Sequence, residues 1–212
     1  MTKGFIFFSL IFWGSVAFTG EDKTTEALAI GSSAPKTDLK MMDISGKEIS
    51  LKDIKKENGL LIIFSCNTCP FVNAWENRYP GLAEICEKNN IGMVLVNSNE
   101  AKRNGEDSME EMKKHARLND YKCYYTLDEN SVLADTFGAK TTPHVFLFNN
   151  EFKLVYRGSI DDTEGKKEKQ PKDHYLLNAI MDMISQKTIV PNDTKAIGCS
   201  IKRVKTLPNP SH

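Results

Sequence analysis

The chain has 212 residues, 40% hydrophobic and 26% charged, which suits one globular domain with a core of its own. Lys+Arg and Asp+Glu both number 28, so the net charge is zero, and neither nucleic acid nor an acidic membrane surface is an expected main partner. Five cysteines leave at least one thiol without an intramolecular partner, and a chain this long needs no disulfide staples to fold.

The first element is an apolar run, Gly4 to Ala17, behind Lys3. It is too short to span a bilayer comfortably, and Ser15-Val16-Ala17 ends it with small residues before charge begins at Glu21. This pattern reads as a secretory signal over residues 1–17, removed after Ala17, with an uncleaved N-terminal anchor as the alternative. Either way the domain is expected outside the cytosol, in a periplasmic or other extracytoplasmic space where disulfides persist. A domain over residues 28–190 and a tail over 191–212 follow, with no stable membrane insertion expected once the signal is gone.

Gly31–Asp43 reads as an extended lead-in, with a turn at Ser45-Gly46 and a short strand over Glu48–Leu51. Leu60–Phe64 (LLIIF) is a continuous apolar run, the pattern of a strand buried on both faces. The period then becomes helical: Phe71, Val72, Trp75, Leu82, Ile85 and Cys86 predict one helix from Cys66 to Glu87. Ile91–Val96 is a second buried strand. Ser108–Asn119 is a helix that opens on a capping box, Ser108 with Glu111. Cys123–Thr126 reads as a strand, and Ser131–Phe137 as a helix stopped by Gly138. Val145–Phe148 and Leu154–Tyr156 form a hairpin around Asn149-Asn150, and Leu176–Ile184 is the last helix. Strands alternating with helices and closing on a hairpin predict an α/β domain, a central mixed sheet covered on both faces.

Cys66 and Cys69 stand at the junction of the first buried strand and the following helix. A helix beginning at Cys66 would leave its first N–H groups free for an anion, so Cys66 is expected to be the low-pKa nucleophile and Cys69 the resolving thiol one turn on. Pro70 is tolerated there because its missing N–H would be unpaired anyway. Zinc would need a second ligand pair, and the four histidines show no matching spacing. A purely structural disulfide would close too short a loop to stabilise much. Thiol–disulfide exchange is the reading that remains.

Strand, C-x-x-C, helix, then Thr141-Thr142-Pro143 entering an apolar strand, a hairpin and a final helix resemble the thioredoxin fold. The resemblance implies that Pro143 is cis and faces the cysteines, with Thr142 presenting backbone to a bound thiol or peptide. It is closer to the redoxin, peroxiredoxin-like (AhpC/TSA-type) branch. Gly31-Ser-Ser-Ala-Pro35 and the helical insertion from Asn97 to Cys123 are similar to that branch. So are Asn67-Thr-Cys-Pro-Phe-Val72, Tyr156-Arg-Gly-Ser-Ile-Asp-Asp162 and Gly198-Cys-Ser-Ile-Lys202. It covers residues 30–202 and implies thiol or disulfide substrates, protein or small-molecule, and a redox partner that gives or takes electrons. No cofactor and no metal are implied.

The sequence departs from the branch at telling places. A peroxiredoxin's proline and hydroxyl residue before the reactive cysteine are replaced by Gly59 and Ile63 counting from Cys66, or by Ile62 and Cys66 counting from Cys69. Thioredoxin's tryptophan and buried acid give way to Ser65 and Leu60, which leaves Glu76, Asp128 or His144 as proton carriers. His144 either modulates the pair or points to the other face of its strand. Cys199 is a third redox cysteine modulating the pair, a partner of Cys86 or Cys123, or a bystander. Cys86 and Cys123 read as small buried hydrophobes, and Arg157, Asp161 and Asp162 as polar surface. The expected function is an exported thiol–disulfide oxidoreductase; the alternatives are a thiol peroxidase and a redox-inactive binding module.

Overall fold

The computed structural model describes residues 26–166 and 169–204, so the proposed signal segment lies outside the described residues. At its centre are β3 (Gly59–Ser65) and β4 (Ile91–Asn97), parallel and in register from Gly59↔Ile91 to Ser65↔Asn97. The sheet continues to β5 (Tyr124–Leu127) on one side, and on the other to β7 (His144–Phe148) and β8 (Leu154–Gly158), in the order β5-β4-β3-β7-β8. β7 runs antiparallel to both β3 and β8, so the sheet is mixed, as the alternation of elements predicts. Two small antiparallel pairs flank it: β1 (Met41–Met42) with β2 (Glu48–Ile49), and β6 (Thr141–Thr142) with β9 (Cys199–Ser200).

The continuous apolar run of β3 is explained by the helices. Leu61 and Ile63 face a core built with α2 (Pro70–Trp75), α3 (Tyr79–Lys88), α4 (Met109–Leu118) and α6 (Tyr175–Ile184). Leu60, Ile62 and Phe64 face a second core with α1 (Leu51–Ile54) and α5 (Val132–Phe137). Every residue of β3 is buried, and the apolar surface it removes from water is worth roughly 25 cal/mol per Å². Among the described residues no helix is long and apolar enough to cross a membrane.

Two predicted elements differ. The strand expected over Glu48–Leu51 stops at Ile49, because Ser50 caps α1 in a box with Asp53 and turns Leu51 into a helical residue. The single helix expected from Cys66 to Glu87 is α2, a 3₁₀ turn at Glu76–Arg78, and α3. Pro80 has no N–H to give Glu76 and its ring would crowd that carbonyl, so the helix restarts with Pro80 in its first turn. The segment read as a tail is stitched to the domain. Thr194 N–H donates to Arg157 O at 3.0 Å, Ile201 N–H to Lys140 O at 3.0 Å, and Ile201 is buried.

Candidate functional site

The start of α2 decides the electrostatics of the two cysteines. The helix begins at Pro70, with Cys69, not Cys66, as its N-cap in extended conformation. Cys66 sits before it in the loop that leaves β3, and the two thiols are close enough to shift each other's ionisation. Both are buried, Cys66 at 1% exposure and Cys69 at 3%.

The neighbouring Cys66 thiol lowers the pKa of Cys69, with the Cys199 thiol and the main chain at Val72 and Cys199 adding to it, against the opposing effect of burial. Cys66 is pushed the other way, first by the neighbouring Cys69 thiol, then by burial and by the negative charge of Asp107. The expectation that a helix begins at Cys66 is corrected: the chain turns helical only at Pro70, and Cys69, the residue that precedes it, makes no side-chain hydrogen bond to the first free N–H groups.

Thr142 binds both sulfurs. Its Oγ1 lies 3.4 Å from Cys66 Sγ, and the Cys69 thiol donates to its carbonyl oxygen across 3.0 Å. The Thr142–Pro143 peptide bond is cis. Cys199 is brought to the same place by strand pairing, Thr142↔Cys199 in β6–β9. Gly198 permits that approach, since a Cβ there would meet Thr142 O at 2.1 Å.

Below the loop is a buried polar network that the sequence did not announce. The Asp107 carboxylate accepts the Asn67 backbone N–H at 2.9 Å, Asn97 Nδ2 at 2.8 Å and Asn99 Nδ2 at 3.0 Å. Tyr125 OH donates to Asn67 Oδ1 at 2.9 Å, and Asn67 Nδ2 to Glu106 O at 2.7 Å. Asp107 is fully buried, and it is the carboxylate whose charge acts on Cys66. The only sequence signal was an acid beside a helix cap, Ser108, which ordinarily reads as solvated helix start.

The other carriers lie elsewhere. His144 shares its face of β7 with Phe146, its ring 4.5 Å from that ring and in the second core, away from the cysteines. Burial lowers its pKa to about 4, and Nδ1 has no hydrogen-bond partner among the described residues. Glu76 engages His115 Nε2 at 2.7 Å, and Asp128 caps α5 through the N–H groups of Leu133 and Ala134. Cys86 is buried and Cys123 partly so, and burial pushes both thiols up to about 12. Asp161, read as surface, is buried and accepts from Trp75 Nε1 and Arg78 Nε, each at 2.6 Å, which ties α2 to the loop after β8. Arg157 reaches Leu28 O at 2.8 Å and Asp193, joining the lead-in segment before β1 to the segment after α6.

The chain is similar to an uncharacterized conserved protein from Geobacillus kaustophilus. Identity is 30%, the TM-score is 0.76, and 87% of this chain and 94% of that one are covered. A hypothetical protein from Sinorhizobium meliloti gives 26% identity and a TM-score of 0.78, with 85% and 98% covered. The thioredoxin domain of a thiol-disulfide oxidoreductase from Bacteroides vulgatus shares the fold alone. It has 20% identity and a TM-score of 0.52, covering 62% of this chain and 89% of that one. No curated protein matches the chain. The AhpC/TSA family matches residues 30–157, more than half of the sequence, and with the thioredoxin-like sheet and its thiol pair this settles membership: the chain belongs to the AhpC/TSA family and is, at that level, an oxidoreductase.

Proposed function

We propose that the protein is a thiol–disulfide oxidoreductase whose working couple is Cys66–Cys69. The observation that carries the proposal is the meeting of both sulfurs on Thr142, Cys66 Sγ 3.4 Å from its Oγ1 and Cys69 Sγ 3.0 Å from its carbonyl oxygen. A thiolate is the attacking species in exchange, and a stabilised thiolate at pH 7 is what this environment favours.

Cys69 Sγ⁻ attacks one sulfur of a substrate disulfide, forms a mixed disulfide, and releases the other half as thiolate. That step removes the negative charge that held Cys66 protonated. Cys66 then loses its proton and attacks Cys69 Sγ, which closes the Cys66–Cys69 disulfide and releases the reduced substrate. Two electrons have passed from the dithiol to the substrate. Thr142 offers the incoming chain backbone and hydroxyl groups at the sulfurs, and Pro143 fixes the turn that puts them there.

The substrate class we favour is an extended peptide or small disulfide. An open groove of about 700 Å³ begins at Asn67 and Thr68 and runs past Gly105, Ser108, Lys114 and His115, although neither cysteine lines it. Action outside the cytosol is part of the proposal and rests on the composition of residues 1–17. The test is the titration of the purified chain against glutathione redox buffers. A single two-electron transition lost in both Cys66→Ser and Cys69→Ser is expected, and absence of any such transition in the native chain would remove the proposal.

A further inference from the structure

The Cys66–Cys69 exchange leaves one neighbouring nucleophile unused. Cys199 stands opposite Thr142 in the β6–β9 pair, and the carbonyl of that same Thr142 accepts the Cys69 thiol at 3.0 Å, which brings Cys199 beside Cys69. Cys69 is thus the middle of three sulfurs, with Cys66 on the inner side and Cys199 on the outer. Among the described residues these three do not close into a metal-holding group.

Exposure orders them. Cys66 and Cys69 are 1% and 3% exposed, whereas Cys199 is partly exposed on the tail strand. A disulfide between the two inner sulfurs is hard for an external thiolate to reach, and exchange demands access along the S–S axis. The outer sulfur is held in place by main chain rather than chance: Gly198 lets the strand close on Thr142, and Ile201 N–H and Lys202 N–H anchor the residues beyond at 3.0 Å to Lys140 O and 2.8 Å to Asn99 Oδ1.

From this geometry we infer that Cys199 is a third redox thiol, the solvent-side port through which the buried couple exchanges electrons with an external thiol. The inference rests on the proposed Cys66–Cys69 couple. Once that disulfide has formed, Cys199 Sγ⁻ attacks Cys69 Sγ. The Cys69–Cys199 bond forms, the Cys66–Cys69 bond breaks, and Cys66 leaves as thiolate and takes up the proton that Cys199 gave. Cys199 is oxidised, Cys66 is reduced, and no other reactant is consumed. A dithiol from outside then attacks Cys199 Sγ, frees Cys69, and closes its own disulfide with release of Cys199. For this regenerating exchange Cys199 is the sulfur that has to be reached, while the substrate step remains at Cys69.

The test is a disulfide map. The full chain is reduced, oxidised with one equivalent of oxidised glutathione, quenched in acid, alkylated and digested. Both Cys66–Cys69 and Cys69–Cys199 peptides are expected, and Cys66→Ser should convert wholly to intramolecular Cys69–Cys199. Reduction of the oxidised chain by dithiothreitol should be about tenfold slower in Cys199→Ser. A variant loosened by the substitution would expose the inner pair and be reduced faster, so slowing does not arise from lost structure. If Cys66–Cys69 forms but Cys69–Cys199 is found in neither protein, or if Cys199→Ser is reduced as fast as the native chain, the inference is overturned while the couple stands. If no Cys66–Cys69 bond forms, both fall together.

Discussion

Asp107 holds the active loop by its backbone: its carboxylate accepts the Asn67 N–H at 2.9 Å, between the two cysteines, while two asparagine amides satisfy the same side chain. A fully buried carboxylate with three donors is stable only as a complete set. Asp107→Ala is expected to cost about 2–4 kcal/mol by leaving those donors unpaired. It should also relieve the negative field on Cys66 and ease its ionisation. Urea unfolding and Cys66 alkylation rates measure the two effects, and an unchanged midpoint together with unchanged alkylation would refute the role given to Asp107.

The Cys69 environment sets a pH dependence. Its folded pKa is lowered by the neighbouring Cys66 thiol, so the thiolate is populated below the pH at which an ordinary thiol ionises and is lost as pH falls through the lowered value. Iodoacetamide labelling of Cys69 should therefore decline with a midpoint below that of an ordinary thiol. Cys66→Ala removes that neighbouring thiol and should move the midpoint upward. A native midpoint above 8, where an ordinary thiol titrates, would count against the assignment.

Peroxide turnover is expected to be slow. No hydroxyl residue stands three positions before either cysteine; Ile63 and Cys66 are there instead. Stopped-flow mixing of the reduced chain with hydrogen peroxide should show only the second-order rate of a low-pKa thiol. Saturable turnover abolished by Cys69→Ser would favour a thiol peroxidase.

What the sequence conveyed and what it concealed follow from range. β3 was legible because a strand buried on both faces must be apolar throughout, and α4 because Ser108 caps it within three residues. The grouping of Cys66, Cys69 and Thr142 with Pro143 was legible through resemblance. The helix break at Pro80 was not, because Trp75, Leu82 and Ile85 keep a helical period across it. Two-residue strands carry no periodicity, so the pairing of Thr142 with Cys199 left no local trace. Asp107 and Asp161 were missed for a common reason: a buried acid is identified by partners far along the chain, and its own neighbourhood looks like surface.

Asp161 gives a stability prediction with a definite sign. Burial alone would raise its pKa, but the Thr163 hydroxyl, the Trp75 indole, the Thr163 N–H and Arg78 together bring it below the usual carboxylate range. A lowered folded pKa stabilises above the unfolded value of about 3.9, and that contribution is lost as pH falls through the folded one. Asp161→Asn should cost about 1.5–3 kcal/mol at pH 7. The gap between variant and native chain should narrow below pH 4. A gap that stays constant down to pH 2.5 would show that charge plays no part.

The order of attack can be read from trapped adducts, provided that Cys199 is removed first. Cys199 touches Cys69 and would discharge a mixed disulfide formed there, so both single variants are compared in a Cys199→Ser background. With Cys66→Ser, Cys69 stays beside the start of α2 and away from Asp107, so it attacks substrates but finds no resolving sulfur. Covalent adducts should accumulate. With Cys69→Ser, Cys66 is left 1% exposed and under the negative charge of Asp107, so it ionises poorly and few adducts should form. Non-reducing electrophoresis after expression in an oxidising compartment separates the cases. Adducts confined to the Cys69→Ser protein would restore Cys66 as the nucleophile and show that the position of the helix start, at Pro70 rather than Cys66, does not govern which sulfur attacks.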